Sequence, residues 1–287
     1  MDNLRGAFLM ILAMAGFALS DSFIKAITER VPMGQVLIYL GLGGGLGFAI
    51  LANRKGYCVW SRRFFHPIVM LRNAAEIAGV ACFVTALTLI PLSLASALLQ
   101  ATPLFVTLGA ILFLGARVGW RRWAALAIGL LGVVVILRPG FESFRPEALF
   151  AVAAALGLAT RDLAIRACPP DIHPLQLSAW GLFMAAPTGA VLLTLSGGAV
   201  RLTGPETGLM AGAILLGMVG YLAITYAMKV GEVAFVTPFR YIRLVFGIAL
   251  GWVVFSEPLD APMLIGAAIV VGAGLYTLWR ERALMRD

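Results

Sequence analysis

Two arginines, Arg240 and Arg243, lie inside an apolar stretch, 233–258, that is long enough to cross a bilayer. A cation at bilayer depth costs several kcal/mol, with values from about 3 to more than 10. Such a residue is retained where it faces protein, water or a ligand. The two guanidinium groups can bind a substrate carboxylate in a water-filled cavity. They can also pair with Glu76 or with helix C-terminal carbonyls and fix the fold, and both interpretations stay open.

An acidic residue, Glu76, lies in another apolar stretch and follows Arg72 by four residues, so the two share one face of a helix. If that helix begins at Pro67, Glu76 lies about 14 Å along it, near the midplane. Glu76 can carry a coupled proton or contact a substrate amine. The alternative is a structural pair with Arg72 or Arg240.

Polar residues in three further stretches complete the candidate cavity. Tyr221 and Thr225 share one helical face, where the tyrosine can stack on a substrate or fill the core. Steps of three and four residues predict one continuous polar face, either a helix seam or a cavity wall, over Ser93, Ser96, Gln100, Pro103, Thr107 and Ala110. The cavity candidates are Arg240, Arg243, Tyr241, Glu76, Arg72, Gln100, Tyr221 and Thr225.

Two charged pairs near helix ends are candidate gates. Asp21 and Lys25 are four residues apart near the predicted outer end of the first stretch, and Arg161 and Asp162 lie late in the sixth, near the predicted cytosolic face. For each pair, an interfacial ion pair is the alternative to a gate.

The elements that position these residues follow from composition. Of 287 residues, 61% are hydrophobic and 13% are charged, whereas soluble domains have about 45–50% and about 25%. About 20 residues per crossing predict an all-α polytopic membrane protein with ten transmembrane helices. We number these spans 1 to 10, at about 6–25, 32–52, 67–90, 91–115, 123–137, 147–167, 174–196, 207–228, 233–258 and 261–279.

Basic residues are distributed unequally between the connectors. With the N-terminus in the cytosol, 14 Lys and Arg lie on the inner side and 5 on the outer side. This bias predicts that both termini are cytoplasmic, in a bacterial-type inner membrane. It also accounts for most of the net charge of +8, so we expect no nucleic-acid partner.

The chain repeats itself when it is shifted so that Ser93–Gly115 lies over Ala234–Ser256. We call this displacement the repeat shift. The halves, 1–140 and 141–287, then hold five spans each. Because five is odd, the halves enter the membrane in opposite senses. Inverted repeats with a central cavity at their interface are typical of secondary transporters.

Signatures of other function classes are absent from the sequence. It contains no H-E-x-x-H, G-x-S-x-G or Walker motif, and its three cysteines have no metal-ligand spacing. We therefore predict no enzyme, metal or cofactor. The first apolar run can also be read as a signal peptide, but its removal would leave one repeat a span short.

Two tracts carry a family resemblance: Ile90–Phe105 (IPLSLASALLQATPLF) followed by Phe113–Gly115 (FLG), and Phe255–Pro258 (FSEP). They resemble the EamA repeat of the drug/metabolite transporter superfamily. Ala116 stands where the first copy usually has glutamate. In size and layout the chain is most similar to the YddG-type amino-acid exporters, and riboflavin carriers share the same repeat.

The resemblance implies a secondary carrier in the lipid bilayer that works by alternating access. We expect it to export amino acids, aromatic ones included, with Arg240 on the carboxylate and Glu76 on the amine or a coupled proton. The alternative is a carrier for riboflavin or another aromatic metabolite. A non-transporting membrane enzyme or scaffold is the second class, and a homodimer is one open assembly.

Overall fold

A computed structural model describes residues 3–114, 120–138, 145–169, 171–195, 198–230 and 237–284, and its regular secondary structure is helical. No strand occurs in these ranges. Two short 3₁₀ segments are Arg62–Phe65 and Thr237–Tyr241. The α-helices are α1 Asn3–Thr28, α2 Met33–Arg54, α3 Pro67–Leu89, α4 Leu92–Leu99, α5 Thr102–Leu114, α6 Trp120–Leu137, α7 Ala148–Ala167, α8 Pro174–Leu195, α9 Gly204–Val230, α10 Ile242–Phe255 and α11 Ala261–Leu284.

Prolines begin several of these helices. Pro67 and Pro174 are the first residues of α3 and α8, and Pro32 and Pro91 directly precede α2 and α4. At a helix start the missing N–H costs nothing, and the fixed φ of proline already suits the helix.

The predicted fold class is confirmed. Seven described spans are long and apolar enough to cross a bilayer, including 92–113, which joins α4 and α5. Two shorter apolar helices, Trp123–Leu137 and Ala261–Tyr276, account for spans 5 and 10. The second 3₁₀ segment and α10 form span 9.

Span 4 is broken in its middle, which corrects the prediction of one continuous polar face along it. α4 and α5 are separated by a turn at Gln100 and Ala101. Pro103 has no N–H to donate to the carbonyl of Leu99. The Thr102 hydroxyl donates to that carbonyl instead, at 2.7 Å. At the matching place, the described part of span 9 begins with the 3₁₀ segment that contains Pro238.

Contacts between helices follow a two-fold pattern. The repeat maps span 1 onto span 6 and span 3 onto span 8. Span 1 packs on span 8 through α1 and α9, and span 3 packs on span 6 through α3 and α7. The pairs α2–α8, α4–α10 and α6–α11 each join a span to its own counterpart. Such pairing is expected of two halves related by a two-fold axis.

Glycines related by the repeat shift mark the two equivalent crossings. A Cβ on Gly16 would lie 3.1 Å from a backbone oxygen of α9 and 3.4 Å from Gly220. A Cβ on Gly157 would lie 2.8 Å from Gly79. The repeat shift places Gly16 over Gly157, and Gly79 over Gly220. Both crossings therefore bring backbones together where a side chain would not fit.

Candidate functional site

A chain of alternating charges crosses the interface between the halves. It runs from Arg72 and Glu76 of α3 to Arg161 and Asp162 of α7, and then to Arg240 of span 9. Each carboxylate stands between two guanidinium groups. Charges in a bilayer interior persist when they are paired in this way.

At the α3 end of the network, the charged groups are buried by helix packing. Arg72 is fully buried, forms an ion pair with Glu76, and donates at 2.8 Å to the carbonyl oxygen of Leu177 on α8. The same Nη1 donates to Asn73 at 3.0 Å. Gly181 makes room for the pair, because a Cβ there would overlap both charged groups. This geometry matches the structural alternative for Arg72 and Glu76.

Glu76 uses both carboxylate oxygens within the protein. Oε2 faces Arg72, and Oε1 lies 3.4 Å from Nη1 of Arg161. In this structure, neither oxygen of Glu76 is therefore free for the predicted contact with a substrate amine. The alternative pairing of Glu76 with Arg240 is also wrong, because the described partners of Glu76 are Arg72 and Arg161.

Arg161 and Asp162 pair with each other, as the charge-pair alternative predicts, and the pair also lies within this network. Nε and Nη2 of Arg161 both donate to Oδ1 of Asp162, at 2.9 and 2.8 Å. Oδ2 of Asp162 lies 4.0 Å from Nη2 of Arg240. Asp162 thus has one oxygen held firmly and one oxygen in a loose contact.

Arg240 is the most open cation of the network. Its side chain is 35% exposed, against 18% for Arg161 and none for Arg72. Its ion pair with Asp162 is at the 4.0 Å limit of such contacts. A guanidinium with spare donors and partial access can bind an incoming carboxylate.

By contrast, the guanidinium group of Arg243 already has close partners within the protein. Its Nη2 donates to Oδ2 of Asp21 on α1 at 2.6 Å. The guanidinium also lies over the rings of Phe17 and Phe83, 5.3 and 5.7 Å from their centroids, at cation–π distance. The predicted pair of Asp21 with Lys25 is therefore wrong, because each has a different partner.

Lys25 instead joins several helix ends. Its Nζ donates to the carbonyl oxygen of Ile90 at 2.8 Å and lies 3.5 Å from Glu257. Glu257 accepts from the N–H groups of Leu92 and Ser93, at 2.6 and 2.9 Å, and from the Ser93 hydroxyl at 2.7 Å. A carboxylate is stabilised there because the N-terminus of α4 presents unpaired donors and a positive dipole end.

Asp21 and Asp162 are equivalent positions of the two repeats, since the repeat shift places one over the other. Each faces one arginine of span 9, Asp21 at 2.6 Å from Arg243 and Asp162 at 4.0 Å from Arg240. The same shift that aligned the halves would have found this relation. It could not have found the arginine partners, which lie on a different span.

Gln100 and Tyr241 also correspond in the repeat, and they touch. Nε2 of Gln100 donates to the carbonyl oxygen of Tyr241 at 3.2 Å, so the turn in span 4 meets the 3₁₀ segment of span 9. Both residues are buried. The ring of Tyr241 fills a notch at Gly274 of α11, which places it in helix packing rather than beside the charges.

The two candidates on α9 have different outcomes. Tyr221 packs edge-on against Phe48, with ring centroids 5.2 Å apart, as the core-filling alternative predicts. The side chain of Thr225 lies outside the part of the chain that the structure describes. Within that part, no three His, Cys, Asp or Glu side chains are grouped to hold a metal.

Ion pairs also lie outside the spans. Arg138, at the end of α6, contacts Asp260 at 2.5 Å, just before α11. Burial raises the pKa of Asp260, but hydrogen bonds from Arg138 and the Met263 N–H, with the charge of Arg138, outweigh it and leave the pKa below its usual value. Arg63 pairs with Asp171, which joins two connectors.

Comparison with known proteins gives consistent matches over the whole chain. Residues 4–138 and 145–279 each match the EamA-like transporter family. A riboflavin transporter of Rhizobium johnstonii is 30% identical over 282 residues, which cover 96% of this chain and 91% of the relative. An S-adenosylmethionine uptake transporter of Rickettsia felis is 31% identical over 287 residues, covering 98% and 95%.

An export protein and a solved structure are also similar. A pseudopaline exporter of Pseudomonas aeruginosa is 27% identical over 269 residues, covering 93% of this chain and 94% of the relative. One protein of known crystal structure, 22% identical, superposes with a TM-score of 0.65 over 98% of both chains. That likeness supports the fold.

Proposed function

We propose that this chain, which belongs to the EamA-like transporter family and is a small-molecule transporter, exports amino acids, aromatic ones included, by alternating access. The halves 1–140 and 141–287 would move against each other around the charged network at their interface. Transporters built from inverted repeats keep their substrate sites at such an interface.

The observation that carries this proposal is the state of Arg240. It lies at the interface between the halves on the 3₁₀ segment of span 9, it is the most exposed arginine of the network, and its contact with Asp162 is loose. We assign it the substrate carboxylate. Arg243 is assigned a structural role, because Asp21 already holds it at 2.6 Å.

The test is flux into proteoliposomes that contain the purified protein, with radiolabelled phenylalanine, leucine and other amino acids offered singly. Arg240→Ala is expected to abolish transport, because the substrate carboxylate loses its cation. Arg30→Ala, at an exposed position between α1 and α2, is the matched control and is expected to transport normally. Absence of flux for every amino acid, or full activity in Arg240→Ala, would overturn the proposal.

A carrier for riboflavin or another aromatic metabolite is the second candidate, favoured by the similarity to the Rhizobium riboflavin transporter. Ligand binding to the folded state raises its stability by RT ln(1 + [L]/Kd). A thermal-shift panel of amino acids, flavins and other metabolites therefore separates the two candidates. A shift with flavins but not with amino acids selects the second.

The proposal includes an orientation. Both termini would lie in the cytoplasm of a bacterial inner membrane, as the basic connectors predict. Under this orientation Lys25 and Glu257 lie at the periplasmic end. Labelling of Cys58, which is exposed in the connector between α2 and α3, tests it: a membrane-impermeant maleimide is expected to react only in inverted vesicles.

A further inference from the structure

We infer that an α-amino acid binds by separating Arg240 from Asp162, with its carboxylate on the guanidinium and its ammonium group on Oδ2 of Asp162. This rests on the proposed function and assigns the amine to a residue other than Glu76. It makes Asp162 a specificity-determining residue that selects zwitterions over simple acids and simple amines.

Asp162 is prepared for this role by its neighbour on α7. Both hydrogen bonds from Arg161 end on Oδ1 of Asp162, at 2.9 and 2.8 Å. Among the described residues, the ion-pair partner of Oδ2 is Arg240, at 4.0 Å. The hydrogen bonds to Oδ1 therefore orient the Asp162 carboxylate, and Oδ2 can accept an ammonium group. The bonds from Arg161 remain when Arg240 binds the substrate carboxylate instead.

Among the other described carboxylates, Glu76 and Glu257 have both oxygens occupied, and Asp21 is less exposed than Asp162. Both oxygens of Glu76 face arginines. Asp21 holds Arg243 at 2.6 Å, and Glu257 accepts three hydrogen bonds at the start of α4. The Asp162 side chain is 20% exposed, whereas those of Asp21, Glu76 and Glu257 are 9% exposed or less.

The sign of the charges explains the selectivity. From Arg72 to Arg240 the network alternates in sign, and a bound zwitterion adds an ammonium and a carboxylate between Asp162 and Arg240. Every charge then still faces one of opposite sign. A simple acid would face the carboxylate of Asp162, and a simple amine would face Arg240. Unpaired or like charges in a poorly hydrated interior are strongly unfavourable.

The experiment uses two ligand triplets on the detergent-purified protein, with Kd measured by calorimetry. One triplet is phenylalanine, 3-phenylpropionate and phenethylamine. The other is leucine, 4-methylpentanoate and 3-methylbutylamine. For the wild type we expect the amino acid of at least one triplet to bind about tenfold more tightly, or better, than its acid and its amine, because each loses one charge-assisted hydrogen bond.

Asp162→Asn then separates selectivity from general damage. We expect its Kd for the amino acid to rise about tenfold or more, and its Kd for the acid to stay unchanged or fall, because the facing negative charge is gone. Asp162→Glu keeps an acceptor for the amine and is expected to keep the preference for the amino acid. Asp21→Asn, at the equivalent position of the first repeat, is the control and should leave the ligand ranking unchanged.

The failures are distinguishable. If no member of either triplet binds, the proposed amino-acid function is overturned. If the amino acid and its acid bind equally to the wild type, or if Asp162→Asn weakens all ligands by the same factor, the role of Asp162 is overturned and the proposed function stands. Should Asp162→Asn fail to fold, the wild-type triplets and Asp162→Glu still decide.

Discussion

At one end of the bundle Glu257 binds the first amides of α4 and contacts Lys25, whereas the corresponding residue of the other repeat is Ala116. We call the first the clamped end and define it by Lys25, Glu257, Arg138 and Asp260. The repeat shift pairs Lys25 with Arg166, so a cation is kept at the opposite end. At the opposite end, Ala116 stands in place of the carboxylate of Glu257.

This difference shows how a symmetric architecture acquires a preferred state. Two inverted halves with the same side chains would make the inward-open and outward-open forms equal in free energy. In the alternating-access cycle that we propose, a carboxylate that joins α1, α4 and the end of span 9 would favour closure of that end. Four substitutions test this difference, and they are given in order of decreasing consequence.

Removal of the clamp carboxylate, Glu257→Ala, should have the strongest consequence. Three donors at the start of α4 lose their acceptor, and half-buried Lys25 loses its counter-charge. We expect a loss of about 3 kcal/mol or more of stability, the usual cost of breaking a buried charge pair. Thermal unfolding in detergent measures it, with Glu147→Ala, at an exposed carboxylate, as the control. Equal melting temperatures for the two variants would show that the clamp contributes nothing.

Removal of the clamp cation, Lys25→Met, keeps the length of the side chain and should cost less. Glu257 retains its three hydrogen bonds, while the Ile90 carbonyl loses a donor at 2.8 Å. We expect about 1–2 kcal/mol of destabilisation by thermal unfolding. A loss larger than that of Glu257→Ala would contradict the assignment of the carboxylate as the centre of the clamp.

Addition of the missing carboxylate, Ala116→Glu, should make the ends more alike. By the repeat shift, the new group corresponds to Glu257 and Arg166 corresponds to Lys25, so we expect the two to pair. A bias of about 1 kcal/mol toward closure would slow maleimide labelling of Cys168 about fivefold, with Cys58 and Cys82 changed to serine. Ala116→Gln, which adds the same volume without charge, is the control. Equal labelling of the two variants would refute the effect.

The pair of Arg138 and Asp260 should matter least, because the Asp260 side chain is 52% exposed. The pKa of Asp260 is lowered from 3.8, so its stabilisation is complete above the unfolded pKa and is lost as the pH falls through the folded pKa. At neutral pH we expect the free energy of unfolding of the wild type to exceed that of Asp260→Asn by less than about 1 kcal/mol. The difference in melting temperature should shrink below about pH 4. A difference in melting temperature that grows toward acid pH would contradict the lowered pKa of Asp260.

Much of the fold could be predicted because hydropathy and the repeat shift act along the chain. The ten spans and the family resemblance are confirmed, and the glycine crossings obey the same shift. The break in span 4 was readable from Pro103, yet the steps of three and four residues favoured a continuous helix. The spacing of residues shows the helical period, but it does not show where a single backbone hydrogen bond is missing.

The ion-pair partners could not be predicted in the same way. Arg243 finds Asp21 across 222 residues, and such pairing depends on which faces of two distant helices meet. Local rules favoured neighbours at four residues, which held for Arg72 with Glu76 and failed for Asp21 with Lys25. An i,i+4 spacing offers a partner, but a partner on another helix can replace it.

The contact of Gln100 with Tyr241 has a mechanical consequence. In the transport cycle that we propose, α4 and α5 are two rods joined at this point, so α5 can tilt while α4 stays packed. The thirteen residues of α5 make an arm of about 20 Å, and a tilt of about 10° would carry its tip about 3 Å, the width of a water molecule. In the proposed transport cycle, such a pivot would let modest rotations, rather than a rebuilding of the bundle, admit water at one end at a time.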